Sequence, residues 1–283
     1  MGNIKHQERT YRNLVGIDGL ISFNVVVQET DLLIHASRAL EPKQRAHSPS
    51  SCGGVSEQIK KRLYSMRSKI PRPLRGGELQ NIARDMVLKQ RGFIENYMVI
   101  YPEFGKTLSP WHIDKPAPLI VSEMASAGQK AGVGPMAAVA GAIAEQVGNA
   151  LLSYSDEVVV ENGGDLFIKT GKPLKVGIFA AGSPLSLKTG LLIDSSKKPA
   201  AVCTSSGTVG HSLSFGKADA VCIVSDSCSL ADAAATSVGN IVKAKKDIGK
   251  AIEFGKNIEG VIGIVIIIGD AAGFWGDIKV VSL

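Results

Sequence analysis

The chain of 283 residues is poor in cysteine: it has four, Cys52, Cys203, Cys222 and Cys228, and no CxxC pair. Four are too few to staple a domain of this size, so free thiols are expected. Neither they nor the five histidines have zinc-site spacing, and HExxH is absent, which argues against structural zinc. Long apolar runs are missing too. Residues 131–144 are interrupted by Gly and Pro, and 261–268 fall far short of the roughly 18 residues a spanning helix needs, so no membrane span is expected. The opening Met-Gly-Asn-Ile-Lys-His has no apolar core or cleavage site behind it, and His6 stands where a myristoylation signal has Ser or Thr. The expected location is cytoplasmic.

What is present describes a soluble globular chain. Hydrophobic residues make up 45% and charged residues 20%, and Gly and Pro together number 43, which excludes disordered and collagen-like compositions. The length allows one large or two modest domains. The formal charge of +6 is local: residues 41–77 carry nine Lys or Arg against Glu41 and Glu57, a net +7 that leaves −1 elsewhere. That stretch is rich in Ser, Pro and Gly and reads as a basic insertion in a single domain spanning 1–283. A nucleic-acid module built on it ranks last, because no helix-turn-helix, zinc finger or RNA-stacking motif accompanies it. A solvated charged loop is the simpler reading.

Alternation of Ile21, Phe23, Val25 and Val27, resumed at Leu32 and Ile34, predicts an opening hairpin turning at residues 28–31. Helical spacing predicts an amphipathic helix over 78–97 and a buried, Ala-rich helix over 135–152 that starts at Gly134-Pro135. Residues 119–124 are open between strand and helix. Short strands are expected at 158–160, 166–168, 176–179, 191–194, 201–204 and 220–225, a helix at 230–243, and a central strand at 261–268. Grouped rather than alternating elements, with repeated short strands, predict an α+β fold with antiparallel sheets.

Three segments could carry chemistry. Asp232, Thr236 and Asn240 follow one another at i,i+4, so a carboxylate, a hydroxyl and an amide line one helix stripe, an oxygen set suited to Mg²⁺ or Ca²⁺. Against this, Asp232 could simply complement the dipole of a helix capped by Ser229, a reading slightly favoured by spacing alone. Cys203-Thr-Ser-Ser-Gly-Thr-Val-Gly-His211 packs hydroxyls, glycines and a histidine after a predicted strand. It is a phosphate-cradle candidate or a plain Gly-Ser turn, and lacks the P-loop lysine. Asn162-Gly163-Gly164-Asp165 is a hairpin turn or a place where a ligand ring approaches backbone. Glu145, the one charge in the Ala-rich helix, needs a partner if buried and otherwise faces solvent.

Together and in order, Gly141-Ala-Ile-Ala144, Glu161-Asn-Gly-Gly-Asp-Leu166, Thr204-Ser-Ser-Gly207 with His211, and Leu230-Ala-Asp-Ala-Ala-Ala-Thr236 resemble the ApbE-like superfamily, which includes the FAD:protein FMN transferases. The chain resembles an uncharacterised branch of it more closely, through Glu29-Thr-Asp-Leu32, Val133-Gly-Pro-Met-Ala-Ala-Val-Ala-Gly141, Glu161-Asn-Gly-Gly-Asp165, Cys203-Thr-Ser-Ser-Gly-Thr-Val-Gly-His-Ser-Leu-Ser214 and Gly216-Lys-Ala-Asp-Ala220. The likeness runs from about residue 8 to 276, outside the basic insertion.

The resemblance implies an ApbE-like α+β fold and a flavin or other nucleotide held beside Mg²⁺. The metal ligands would be Asp232, Thr236 and the carbonyl of Ala142. Asn162, Gly163, Gly164, Asp165, Thr204, Ser205, Ser206, Gly207 and Thr208 would contact the nucleotide, and His211 and Asp232 would be catalytic, with His211 near the phosphates. It also allows a homo-oligomer.

The transferase pattern Asp-Leu-Gly-Ala-Ile-Ala-Lys-Gly-Tyr-Ala-Val-Asp reads Val139-Ala-Gly-Ala-Ile-Ala-Glu-Gln-Val-Gly-Asn149 here. The leading Asp is lost, Glu145 replaces Lys, and the final Asp has no match. No counterpart of the transferase's N-terminal flavin-contacting segment is found. Flavin transfer, another reaction on a small molecule, and non-catalytic nucleotide binding all remain open readings.

Overall fold

The computed structural model describes residues 17, 19–37, 76–207 and 215–283. Apart from Gly76 and Gly77, which open a helix, the basic stretch 41–77 lies outside the described residues, as do Cys52, Thr208 and His211.

Eleven strands and five α-helices are described. The chain runs β1 (Leu20–Val27), β2 (Thr30–Ser37), α1 (Gly76–Ile100), α2 (Leu119–Ala131), α3 (Val139–Leu151), β3 (Val158–Asn162), β4 (Asp165–Lys169), β5 (Leu174–Gly177), β6 (Thr189–Ile193), β7 (Ala200–Ser205), β8 (Ala220–Ser225), α4 (Cys228–Ile241), α5 (Ile248–Gly255), β9 (Val261–Ile268), β10 (Ala271–Gly276) and β11 (Lys279–Ser282). The main sheet has the order β1-β2-β3-β4-β7-β8-β9-β10, and a smaller one has the order β11-β6-β5. Every pairing is antiparallel, so the chain has the expected α+β class.

Side-chain alternation explains the layers. Val158, Val160, Phe167, Ala201, Cys203, Val221, Ile223, Ile264 and Ile266 face the helices. Val159, Ile168, Val202, Cys222, Val224, Val265 and Ile267 face the other way and meet Val176, Ile178, Leu191 and Ile193 of the small sheet. The main sheet is thus covered on both faces, which is why β9 and the first three residues of β3 read as apolar runs without alternation. Helix α1 buries Leu79, Ala83, Val87, Ile94 and Tyr97, the 3.6-residue stripe its sequence predicts.

Several expectations shift. The opening hairpin turns at Gln28 and Glu29 alone, since Thr30 and Asp31 already pair with Val27 and Val26. Residues 119–124 are helical, as the first half of α2. Pro135 starts a 3-10 turn, Pro135–Ala138, and α3 begins only at Val139. Ile178 and Phe179 lie beyond β5. Strand β9 is interior but one place from the edge, because β10, which alternation did not reveal, pairs outside it. Helix α5 and strand β11 were not foreseen either.

Candidate functional site

Strands β3 and β4 are joined by Gly163 and Gly164, with Asn162 paired to Asp165. Gly163 has φ 72°, a backbone state that side chains disfavour. Gly164 is required for a different reason: its carbonyl accepts the Thr204 N–H at 3.0 Å, and a Cβ there would lie 2.5 Å from the Thr204 oxygen. The tip of the hairpin is therefore fixed against the end of β7, where Asp165 pairs with Cys203. Buried Asn162 donates its side-chain amide to the Ala140 carbonyl at 3.0 Å, tying the same hairpin to the start of α3.

The first turns of α3 and α4 meet at this point. Asp232 Oδ2, in the second turn of α4, accepts the N–H of Gly141 near the start of α3 at 2.9 Å. In return Glu145 Oε2, in the second turn of α3, accepts the Cys228 N–H at 2.8 Å and the Ser229 N–H at 3.4 Å at the start of α4. The hydroxyls of Ser227 and Ser229 donate to the same oxygen at 3.2 and 3.4 Å. Each helix supplies a carboxylate to the positive end of the other, where unpaired N–H groups and the dipole favour negative charge. Glu145 is therefore half-buried and partnered. The N-cap of α4 is Ser227, whose side chain accepts the Leu230 N–H, and not Ser229.

Charge is concentrated here. Burial lifts the Asp232 carboxyl well above the usual carboxylate range, and the neighbouring Asp165 adds to the rise, while the Gly141 and Ala140 N–H groups oppose it. Glu123 is raised by its own burial, against a 2.7 Å donation from Gln146, with Glu145 raising it further. Below the site Cys203 Sγ donates to the Cys228 carbonyl at 3.5 Å, and burial pushes both thiols up.

The hydrogen bonds bring Asn162, Gly164, Thr204 and Asp232 together around the start of α3, where Ala142 follows Gly141. Thr236 lies one turn beyond Asp232 on α4. Ser205 ends β7, Ser206 follows, and Gly207 donates its N–H to Ala218 at 2.9 Å. Asn240, third in the stripe, is engaged elsewhere: its Oδ1 accepts the Phe215 N–H at 2.9 Å. Thr208 and His211 lie outside the described residues. Ser227 and Glu123 escaped the sequence reading, and Gly141 entered it only as part of a motif. The serine preceding α4 was the one available signal.

As a test of the implied magnesium, the donors offered by Asp232, Thr236 and the Ala142 carbonyl are all oxygen, the chemistry of a hard cation. The mutual repulsion of Asp165 and Asp232 is what a divalent cation would relieve. Among the described residues no three His, Cys, Asp or Glu side chains cluster to hold a metal. The residues fit the ion.

The family described as AbpE bacteria matches residues 71–274. A UPF0280 protein of Methanococcus aeolicus is 41% identical over 225 residues, covering 78% of this chain and 91% of the relative. Another, from Methanosarcina acetivorans, is 38% identical over 202 residues, covering 71% and 79%. Among solved structures, the ApbE protein of Thermotoga maritima is similar at 13% identity and a TM-score of 0.46, over 90% of this chain and 96% of that one. The family match over most of the chain and the relatives at about two-fifths identity lead to one conclusion: the chain belongs to the ApbE-like family described as AbpE bacteria, alongside the UPF0280 proteins.

Proposed function

We propose that this protein binds a phosphorylated, nucleotide-like ligand, a flavin nucleotide among the candidates, together with Mg²⁺, and acts as a Mg²⁺-dependent transferase. The observation that carries the reading is the meeting of the 162–165 hairpin, the end of β7 and the first turns of α3 and α4 around Asp232. Asp232, Thr236 and the Ala142 carbonyl would hold the ion. Asn162, Gly163, Gly164, Asp165 and the segment from Thr204 to Thr208 would line the nucleotide, with His211 by its phosphates. Bound Mg²⁺ would supply charge neutralisation at a pyrophosphate and its leaving group. The chain's own residues orient the ligand: Gly163 lets it approach the backbone, Gly164 seats the hairpin against the end of β7, and the hydroxyls of Thr204, Ser205 and Ser206 can donate to phosphate oxygens.

We read the chain as a single cytoplasmic domain with 41–77 as an insertion. Among the described residues no helix is long and apolar enough to cross a membrane.

The test is a titration with FAD, with and without Mg²⁺, followed by analysis for AMP and FMN. Cleavage of the pyrophosphate bond releases AMP as FMN passes to an acceptor. Mg²⁺-dependent binding that Asp232→Ala abolishes supports the site, and AMP release supports transfer. Binding that ignores both Mg²⁺ and Asp232→Ala would sink the metal site. A second reading, nucleotide binding without turnover, is favoured by Glu145: where the transferase pattern has a cation, this chain has a carboxylate committed to the start of α4. Binding without AMP release would support it.

A further inference from the structure

Glu145 stands where the transferase pattern has a lysine, and its place in the structure gives it a task. Its Oε2 takes four donors, two from backbone and two from hydroxyls, all within Ser227, Cys228 and Ser229. An oxygen so engaged is not a free metal ligand. Five residues into the same helix α4 stands Asp232, whose Oδ2 is in turn held by Gly141, four residues before Glu145 on α3. Gly141 to Glu145 is about one turn of α3, and Cys228 to Asp232 about one turn of α4, so the two carboxylates close a loop of contacts between two helix faces. Rotation or sliding of either helix strains one of the two charge-assisted contacts.

We infer that Glu145 is the positioning residue for Asp232. It fixes the rotation and height of the first turn of α4, and so the direction in which the remaining oxygen of Asp232 and the Thr236 hydroxyl point. Glu145 acts by reach and hydrogen bonding, and its negative charge is not an attraction for the ion. The metal-binding consequence rests on the proposed Mg²⁺ site; the clamp between the helices does not.

Two variants separate reach from charge. Glu145→Asp keeps the charge and shortens the side chain by one methylene, whereas Glu145→Gln keeps the length and a neutral acceptor. Two measurements are made on the full chain: amide hydrogen exchange at Gly141 without metal, and Mn²⁺ binding by electron paramagnetic resonance. In Glu145→Asp, Gly141 should exchange about tenfold faster and Mn²⁺ affinity should fall by about the same factor, the worth of one charge-assisted hydrogen bond. Glu145→Gln should show less of both effects. Unchanged Gly141 exchange in Glu145→Asp overturns the inference. So does a loss of Mn²⁺ affinity that is greater in Glu145→Gln than in Glu145→Asp, or no loss in Glu145→Asp where the unaltered protein binds. If the unaltered protein binds no Mn²⁺, the metal reading fails by itself, and Gly141 exchange still decides whether the clamp exists.

Discussion

A Cβ placed on Gly141 would lie 2.2 Å from the carbonyl oxygen of Cys228 and 2.9 Å from the Cβ of Asp232. Helices α3 and α4 therefore meet backbone to backbone where their carboxylates cross. The obstacle is a carbonyl rather than the end of a flexible side chain, so it cannot yield without moving a helix. Gly141→Ala should cost about 3 kcal/mol, the upper end for overpacking, and should weaken Mg²⁺-dependent ligand binding. Urea unfolding reads the first effect, and a midpoint equal to that of the unaltered protein would refute the close approach.

Asp232 serves fold and site differently, and two substitutions tell them apart. Asparagine keeps an acceptor for the Gly141 N–H while removing a charge that burial and Asp165 both disfavour. Asp232→Asn should be at least as stable as the unaltered protein, yet lose Mg²⁺-dependent binding. Asp232→Ala strands the N–H and should be about 1–3 kcal/mol less stable than the Asn variant. Calorimetric melting of the two side by side checks the order.

His35 of β2 is 2% exposed, and its Nδ1 is 2.7 Å from Ser22 Oγ. Burial lowers its pKa from the ordinary 6.5, so the folded state holds the ring neutral. Unfolding lets the ring take up a proton, and the unfolded state therefore binds more protons as the solution becomes acidic. The stability contributed by the neutral ring is complete above the ordinary value and is lost as pH falls through the lowered one. His35→Gln should flatten the decline of the urea midpoint below about pH 6.5. An unchanged slope would assign the decline to other groups.

Cys203, Cys222 and Cys228 are free and buried. Burial raises all three, Cys222 to about 12, so little thiolate is present at neutral pH. Iodoacetamide should leave these three unmodified in the folded protein and label them in urea, as read by peptide mass spectrometry. Rapid native labelling of Cys228 would mean that the first turn of α4 opens.

Much of the fold was readable because burial leaves a periodic trace. The stripe of α1, the β1–β2 hairpin and the apolar run of β9 each declare themselves through which faces they hide. Strand β10, Ala271–Gly276, left no such trace, since its Ala and Gly residues carry little pattern and it lies at an edge. In the candidate site, the stripe of Asp232, Thr236 and Asn240 followed from helical spacing. That Asn240 would serve Phe215 rather than the site did not, because the donor lies 25 residues away in sequence.

The amino-acid sequence by itself determined the α+β class, most of the elements and which polar residues share a helix face, because these depend on interactions within a few residues. Only the tertiary structure decided what Glu145 does. Its four donors lie more than 80 residues away, and no local pattern records that two helix N-termini meet and exchange carboxylates. A charge in an Ala-rich helix can face solvent, a ligand or another helix. The choice is made by the dipole and the unpaired N–H groups of whichever element packs against it.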